Sequence, residues 1–385
     1  MKNRKRTPAL LLALALTASL CACSGLTSDP TTGTANPDPS LNPASSPNPS
    51  AAPSIEVDRE QDAIAFAAGL SGDDILLTAN GEDVPADLFL YWLFLNSYYF
   101  EYTYYYYGIT VADVADNLLE DTVDTAVYYT VMREKAAQLG CLPTDAQVKE
   151  ARDNVLAEGQ AYYDSLKAAY GLSDRSFDYI STVSCYYENL LDAMFPTATE
   201  EMLNGYVYQV RHILLSTVDN ATGAALDEET VAAQRALAED ILAQLQAVEG
   251  EELEKLFDEL MNQYSEDGRD GNGNLYAPDG YTTIPGKMVP EFEEASLALP
   301  IGGLSGIVES NYGYHIILRG EVDDFEEYID GCREYYLDKE MEALMETAEV
   351  TRSDALAGID VPGFYERYIA YQNAVMEQYR KEEAG

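Results

Sequence analysis

Apolar positions along this chain recur with two periods. In the segments 210–215 and 314–318 they alternate, so that Val210, His212 and Leu214 share one face, while His315, Ile317 and Arg319 oppose Tyr314, Ile316 and Leu318. Alternation of that kind predicts half-buried or buried strands. Between these segments the period lengthens to that of a helix. Ala233, Leu237, Ile241, Leu245 and Val248 predict a helix over 226–248. Leu253, Leu256, Phe257 and Leu260 predict a second, and Phe292, Ala295 and Leu299 a short third, stopped by Pro300 and Gly302-Gly303. A strand over 304–308 would join the other two in a small antiparallel sheet.

The flanking segments read as helical. The body is expected to begin at Asp74, with a strand over 75–79 and a turn at Asn80-Gly81. Pro85 then opens a helix through Leu88, Phe89, Trp92 and Leu95 into a tyrosine-dense run, 98–107. A long helix over 111–139 ends at Gly140. Thr144 and Gln147 have capping-box spacing and start a helix through Ala151, Val155 and Tyr162, with Gly159 on the same face. Ser173-Asp174 opens another, through Phe177, Ile180, Tyr187 and Leu190, halted by Pro196, and Thr199 caps a brief one. A further helix is predicted over 325–347, and mixed helical structure beyond 350.

The first residues have a different character. Lys2, Arg4, Lys5 and Arg6 precede an apolar run, 9–20, too short to span a bilayer comfortably. Leu20-Cys21-Ala22-Cys23-Ser24 is similar to the bacterial lipobox, which makes residues 1–22 a lipoprotein signal peptide and Cys23 the lipidated residue. The stretch 23–55 is rich in Ser, Thr, Pro, Asn and Ala and is expected to be a disordered tether. A lipid-anchored, extracytoplasmic protein is the expectation. Acidic residues outnumber basic ones 67 to 23, for a net charge of −44. That balance argues against nucleic-acid binding and against electrostatic adhesion to anionic lipid. With Cys23 acylated, Cys141, Cys185 and Cys332 remain, an odd number with no metal-ligand spacing; neither a metal nor another cofactor is expected. One disulfide is possible in an exported protein, but three small hydrophobes is the default reading.

Candidate chemistry concentrates between the two predicted strands. The chain has two histidines, His212 and His315, one in each strand. A lone strand histidine is usually a satisfied core residue, but two that close the ends of one segment point to a shared site. Ser265-Glu266-Asp267, the block 286–295 around Met288 and Phe292, the block 299–308, and Gly313-Tyr314-His315-Ile316-Ile317-Leu318 follow His212 in order. In that order they resemble the parvulin family of peptidyl-prolyl cis-trans isomerases. The leader and the flanking helices make the whole similar to PrsA-type secretion foldases.

The resemblance implies an α+β fold, a small antiparallel sheet with flanking helices, beside a mainly α-helical chaperone-like domain. It places the isomerase at 206–321 and the helical domain at 56–205, with 322–385 returning to complete the latter. It further implies that Met288 and Phe292 form the proline-ring pocket with Leu275 as a third wall. His212 and His315 would hydrogen-bond beneath it, and Asp267 would lie near the target amide. Tyr312 stands where the family has a small hydroxyl residue, beside the substrate, and the loop 276–287 is longer than in compact members. No Lys or Arg follows His212 over 216–227, which argues against selectivity for phosphorylated substrates. The expected function is isomerisation of X-Pro bonds in unfolded exported proteins. Two alternatives are a non-catalytic holdase with a degenerate isomerase fold and a surface-binding lipoprotein.

Overall fold

The computed structural model describes residues 55–384 apart from 59, 105–106 and 220–221. The leader, Cys23 and the tether up to residue 54 lie outside the described residues. The chain divides into two compact units, one comprising residues up to Met194 together with Leu337 onward, the other Phe195–Tyr336. The expected boundaries at 206 and 321 fall inside the second unit. The additional residues on either side share one apolar cluster, in which Leu203, Tyr206 and Val207 pack with Cys332, Phe325 and Tyr328.

The helical unit begins earlier than Asp74, with α1 (Ala63–Ala68), capped by the Asp62 carboxylate, which accepts from the Ala65 N–H. The strands β1 (Ile75–Ala79) and β2 (Glu82–Pro85) form a hairpin whose turn holds Asn80 and Gly81 at positive φ. Pro85 closes β2, so helix α2 (Ala86–Tyr104) starts one residue later than its sequence suggested. Its first half is buried all round, from Ala86 to Phe94. Its second half turns tyrosines outward, with Tyr102 51 % exposed.

A short 3-10 turn leads into α3 (Ala115–Leu139), which ends at left-handed Gly140. Next come α4 (Asp145–Leu156) and α5 (Gln160–Tyr170). These are two helices where one was expected, because Gly159 takes φ 101°, a conformation no helix interior allows. The Ser173-capped segment is likewise split at Thr182 into α6 (Asp174–Ser181) and α7 (Val183–Met194).

The second unit opens with α8 (Glu200–Tyr206), capped by Thr199. It continues through β3 (Tyr208–Ser216), α9 (Glu228–Leu245), α10 (Glu251–Tyr264), β4 (Tyr281–Thr283), α11 (Pro290–Ala298), β5 (Val308–Glu309) and β6 (Gly313–Gly320). The strands make one antiparallel sheet in the order β4-β3-β6-β5. One face packs Ile213, Leu215, Tyr314, Ile316 and Leu318 against Ile241, Leu245, Phe257 and Leu260 of α9 and α10. The other carries Tyr208, Val210 and Ile317 against Phe292 of α11. The predicted strand over 304–308 is shorter than expected. Before Val308 the chain follows β6 without regular strand: the Gly302 and Ser305 N–H groups donate to the Arg319 and Ile317 carbonyls, the Arg319 N–H donates to the Gly303 carbonyl, Leu304 bridges to Leu318, and Ser305 Oγ accepts from the Ile317 N–H at 2.8 Å.

After β6 the chain runs into α12 (Ile329–Thr347), within which the division between the units falls. The strand β7 (Val350–Arg352), legible only as mixed structure, pairs with β1. Helices α13 (Asp354–Ala357) and α14 (Val361–Ala384) finish the chain. In the helical unit α14 is tied down by its polar tips. Tyr368 donates to the Tyr170 carbonyl at 2.6 Å, Tyr371 to that of Gln61 at 2.9 Å, and Arg367 to that of Ala67 at 2.8 Å. Tyr368 and Tyr365 also pack on Phe94, so part of the tyrosine excess is ordinary core. Cys141 and Cys332 are free thiols, and Cys332 is buried. Among the described residues, no helix is long and apolar enough to cross a membrane.

Candidate active site

The site lies on the α11 face of the sheet and begins with strand register. Along β3 and β6, His212 is opposite Ile317 and His315 is opposite Leu214, so the two histidines are diagonal neighbours on one face. Diagonal pairs lie within reach of ring side chains. Their imidazoles stack at 5.4 Å between centroids and 23° between planes, with Nδ1 of one 3.2 Å from Nδ1 of the other. Both residues are buried.

The free edge of β3 explains the Ser265-Glu266-Asp267 block. Strand β4 covers β3 only along Tyr208–Val210. Further along, the Leu214 N–H donates to Ser265 Oγ at 3.2 Å, and the Glu266 N–H donates to the Leu214 carbonyl at 2.8 Å. The Ser216 N–H donates to Glu266 Oε2 at 2.7 Å. Serine and glutamate thus act as a short substitute strand, and the next residue, Asp267, arrives over the imidazole of His212.

The polar groups form one chain with a single consistent direction. An ionised carboxylate can only accept, so His212 Nε2–H donates to Asp267 Oδ2 at 2.9 Å. In neutral His212 the other nitrogen, Nδ1, is then an acceptor and receives Nδ1–H of His315. That leaves His315 Nε2 to accept from the Ser310 hydroxyl at 2.8 Å. Ser310 Oγ in turn accepts the Tyr312 N–H at 3.1 Å. At the far end the Tyr281 hydroxyl donates to the same Asp267 Oδ2 at 2.6 Å. Every ring nitrogen is satisfied with both histidines neutral.

The electrostatics agree with this arrangement. Burial, and then the facing His212, push His315 down to about 4, against an attraction from Asp267 that does not offset them. For Asp267 burial acts upward, but the hydrogen bonds from His212 and Tyr281 oppose it, and the carboxyl is held below its ordinary value. Burial, then the bond to Asp267, pushes the Tyr281 phenol strongly up, so it stays a donor.

The apolar part comes from α11 and its approach. Val289 is the N-cap position and Pro290 starts the helix, which sets Met288 and Phe292 on one side of its entry. The Gly286 N–H, donating to Glu293 Oε2 at 2.7 Å, anchors the incoming loop. The guanidinium of Arg319, buried, donates to the carbonyls of Leu297 and Leu299 and closes the other end of α11. Phe292 is 3 % exposed and stands edge-on to both imidazoles, 5.0 Å from His212 and 5.3 Å from His315. It seats the histidines. Met288, packed against the same cluster, is only half-buried and leaves apolar surface reachable beside them.

Leu275 is a correction. It was expected as a third wall, but it lies buried with Ile213, Ile241 and Phe257 on the opposite, helix-side face. The cause is the tight loop before it. Asp270 Oδ1 accepts the N–H groups of Asn272 and Asn274, and the chain folds back so that Leu275 bridges to Arg269. Tyr312 is 51 % exposed, its carbonyl accepting from the Thr217 N–H, so its ring stands free beside Ser310. Cys23 lies outside the described residues.

Sequence reasoning missed Tyr281 and Ser310. Tyr281-Thr282-Thr283, a β-prone run bounded by Gly280 and Pro285, was a strand signal inside what reads as a loop. Ser310 had no signal beyond its nearness to His315.

Comparison with known proteins bears on this segment. Residues 197–322 match the family of PPIC-type PPIASE domains. A foldase protein PrsA from Halalkalibacterium halodurans is 35% identical over 165 residues, 42% of this chain and 43% of that protein. A chaperone SurA from Chromohalobacter salexigens is 39% identical over 109 residues, 28% of this chain and 21% of its own. The chain therefore spans less than half the length of either relative. A crystal structure of the peptidylprolyl isomerase PrsA from Bacillus cereus aligns over 71% of this chain and 88% of that one, at 21% identity and a TM-score of 0.30.

Proposed function

Because residues 197–322 of this chain form a parvulin domain of the PPIC-type peptidyl-prolyl isomerase family, we propose that the protein is a foldase that isomerises X-Pro bonds in client polypeptides. The observation that carries this reading is the hydrogen-bonded chain from Ser310 through His315 and His212 to Asp267, lying against Phe292 and beside Met288.

Rotation about a prolyl amide must break resonance across a barrier of ~18–20 kcal/mol, and it cleaves no covalent bond. A site for it needs no nucleophile. It needs an apolar seat for the pyrrolidine ring, which Met288 supplies over Phe292. It also needs removal of water from the carbonyl, because water stabilises the polar planar amide more than the twisted one. The neutral histidines give a rigid, low-charge floor. Asp267, partly exposed with 30% of its side chain accessible, is the one acceptor of the chain that can face the substrate amide.

Clients are proposed to be exported, unfolded proteins, and the protein is proposed to be held outside the cytoplasmic membrane by a lipid on Cys23. The charged leader, the apolar run and the small residue before Cys23 support this. A protease-coupled assay with an Ala-Pro peptide and the full chain tests the activity, and acceleration is expected. No acceleration by a folded sample, with aggregation of a client still suppressed, would replace the enzyme with a holdase. Radiolabelled fatty acid incorporated into wild-type protein and absent from Cys23→Ala tests the anchor.

A further inference from the structure

Tyr281 comes from the part of the loop that departs from compact parvulins. The turn Pro278-Asp279-Gly280 brings the chain back onto β3, where Tyr281 pairs with Val210. That approach is close enough to demand glycine. Gly280 has φ +82°, and a Cβ there would lie 2.2 Å from the Val210 carbonyl oxygen. Gln209 Nε2 donates to the Asp279 carbonyl at 2.7 Å and holds the turn from the side. The extra residues therefore lay down an edge strand, and that strand delivers one phenol to the site.

The phenol meets Asp267 on Oδ2, the oxygen already taken by His212. Oδ1 has no hydrogen-bond partner among the described residues. A carboxylate offers about four acceptor positions, so gathering both protein donors on one oxygen leaves the other with its capacity intact. We propose that Tyr281 is a positioning residue of the isomerase site: by binding Oδ2 together with His212 it fixes the rotation of the Asp267 carboxylate and presents Oδ1 as the acceptor for the substrate's backbone amide. This rests on the isomerase reading above. It also gives the lengthened loop a role in catalysis, where its length alone suggested a degenerate site.

The groups facing Asp267 are His212 on β3, Tyr281 on β4 and His315 on β6. Its sequence neighbours are turned elsewhere. Glu266 accepts from Ser216 N–H and Gln234, and Arg269 donates to the carbonyls of Ser265, Asn262 and Gly273. With one of its two donors removed, Asp267 keeps its burial and loses part of what opposes it.

The test is Tyr281→Phe in the full chain, followed by kcat/KM and by the 13C shift of the Asp267 carboxyl against pH. A fall in kcat/KM of roughly ten- to a hundredfold, the size of one lost hydrogen bond to a charged group, is expected, with the carboxyl midpoint moved to higher pH. An unchanged kcat/KM, or an unchanged midpoint, overturns the proposal. If the variant does not fold, 3,5-difluorotyrosine at 281 keeps the shape and strengthens the donor, and the midpoint should then move down; no movement overturns the proposal. A wild-type protein without isomerase activity would instead refute the reading on which this rests, and so the two failures are distinct.

Discussion

Nδ1 of His212 lies 3.2 Å from Nδ1 of His315, across 103 residues of chain. The contact follows from register. Each histidine is opposite an aliphatic residue, and the two meet on the diagonal, where the rings can stack and still share one proton. Because Asp267 can only accept, that proton belongs to His315, and the direction of the whole chain is set from its acidic end.

The tautomers are therefore a prediction. His212 should carry its proton on Nε2 and His315 on Nδ1 at neutral pH. Nitrogen-15 shifts of the two imidazoles read this directly. The His212→Ala variant leaves His315 Nδ1–H buried without its partner, and should lose about 1–3 kcal/mol of stability in urea denaturation.

Acid should destabilise the sheet unit through His315. Its folded-state value, about 4, lies below the ordinary 6.5. Between those values the unfolded chain takes up a proton that the folded chain refuses. Stability present at neutral pH is thus lost as pH falls through this window, with a slope approaching about 1.4 kcal/mol per pH unit. Asp267, also depressed, contributes above its ordinary value of 3.8 and loses that contribution only at lower pH. The difference between wild type and His315→Asn isolates the histidine term, and equal pH slopes would contradict it.

Met288 and Phe292 should separate binding from stability. Truncating half-buried Met288 to alanine should cut kcat/KM by roughly ten- to a hundredfold, because burying such a side chain against a ligand is worth about 1.5–3 kcal/mol. The same change at Phe292, which is 3 % exposed against both imidazoles, should cost about 3–5 kcal/mol of folding stability. Steady-state kinetics and denaturation on the two variants check both.

Gly280→Ala should mimic loss of Tyr281. A methyl group 2.2 Å from the Val210 carbonyl oxygen forces the turn off β3, and β4 with it. Lower isomerase activity with an intact helix-side core, seen as unchanged hydrogen exchange in α9 and α10, is the expected outcome.

Much of this was legible in the sequence where periodicity governs. Strand parity put His212 with Val210 and His315 with Ile317, and the structure keeps both sets on the face that meets Phe292. Capping residues placed the starts at Thr144, Ser173 and Thr199. Irregular backbone was the blind region, because it has no period from which to read a face. Leu275 sits in such a loop, and one fold-back at Asp270 sends it to the other side of the sheet. Tyr281 occupies a three-residue strand whose pairing depends on Gly280 lying against β3. Strand β7 is three exposed residues, with no buried face to give an alternating pattern. Gly159 shows the opposite failure: a glycine in phase with an apolar stripe reads as a weak helix interior, whereas its positive φ makes it a boundary.

The most direct measurement is exchange spectroscopy on a proline peptide, free of any coupling protease, with the full chain added at a small fraction of the peptide concentration. The account predicts cross-peaks between cis and trans resonances that appear with wild-type protein and fade with Met288→Ala. Peptide that binds yet shows no cis–trans exchange beyond its uncatalysed rate would contradict it.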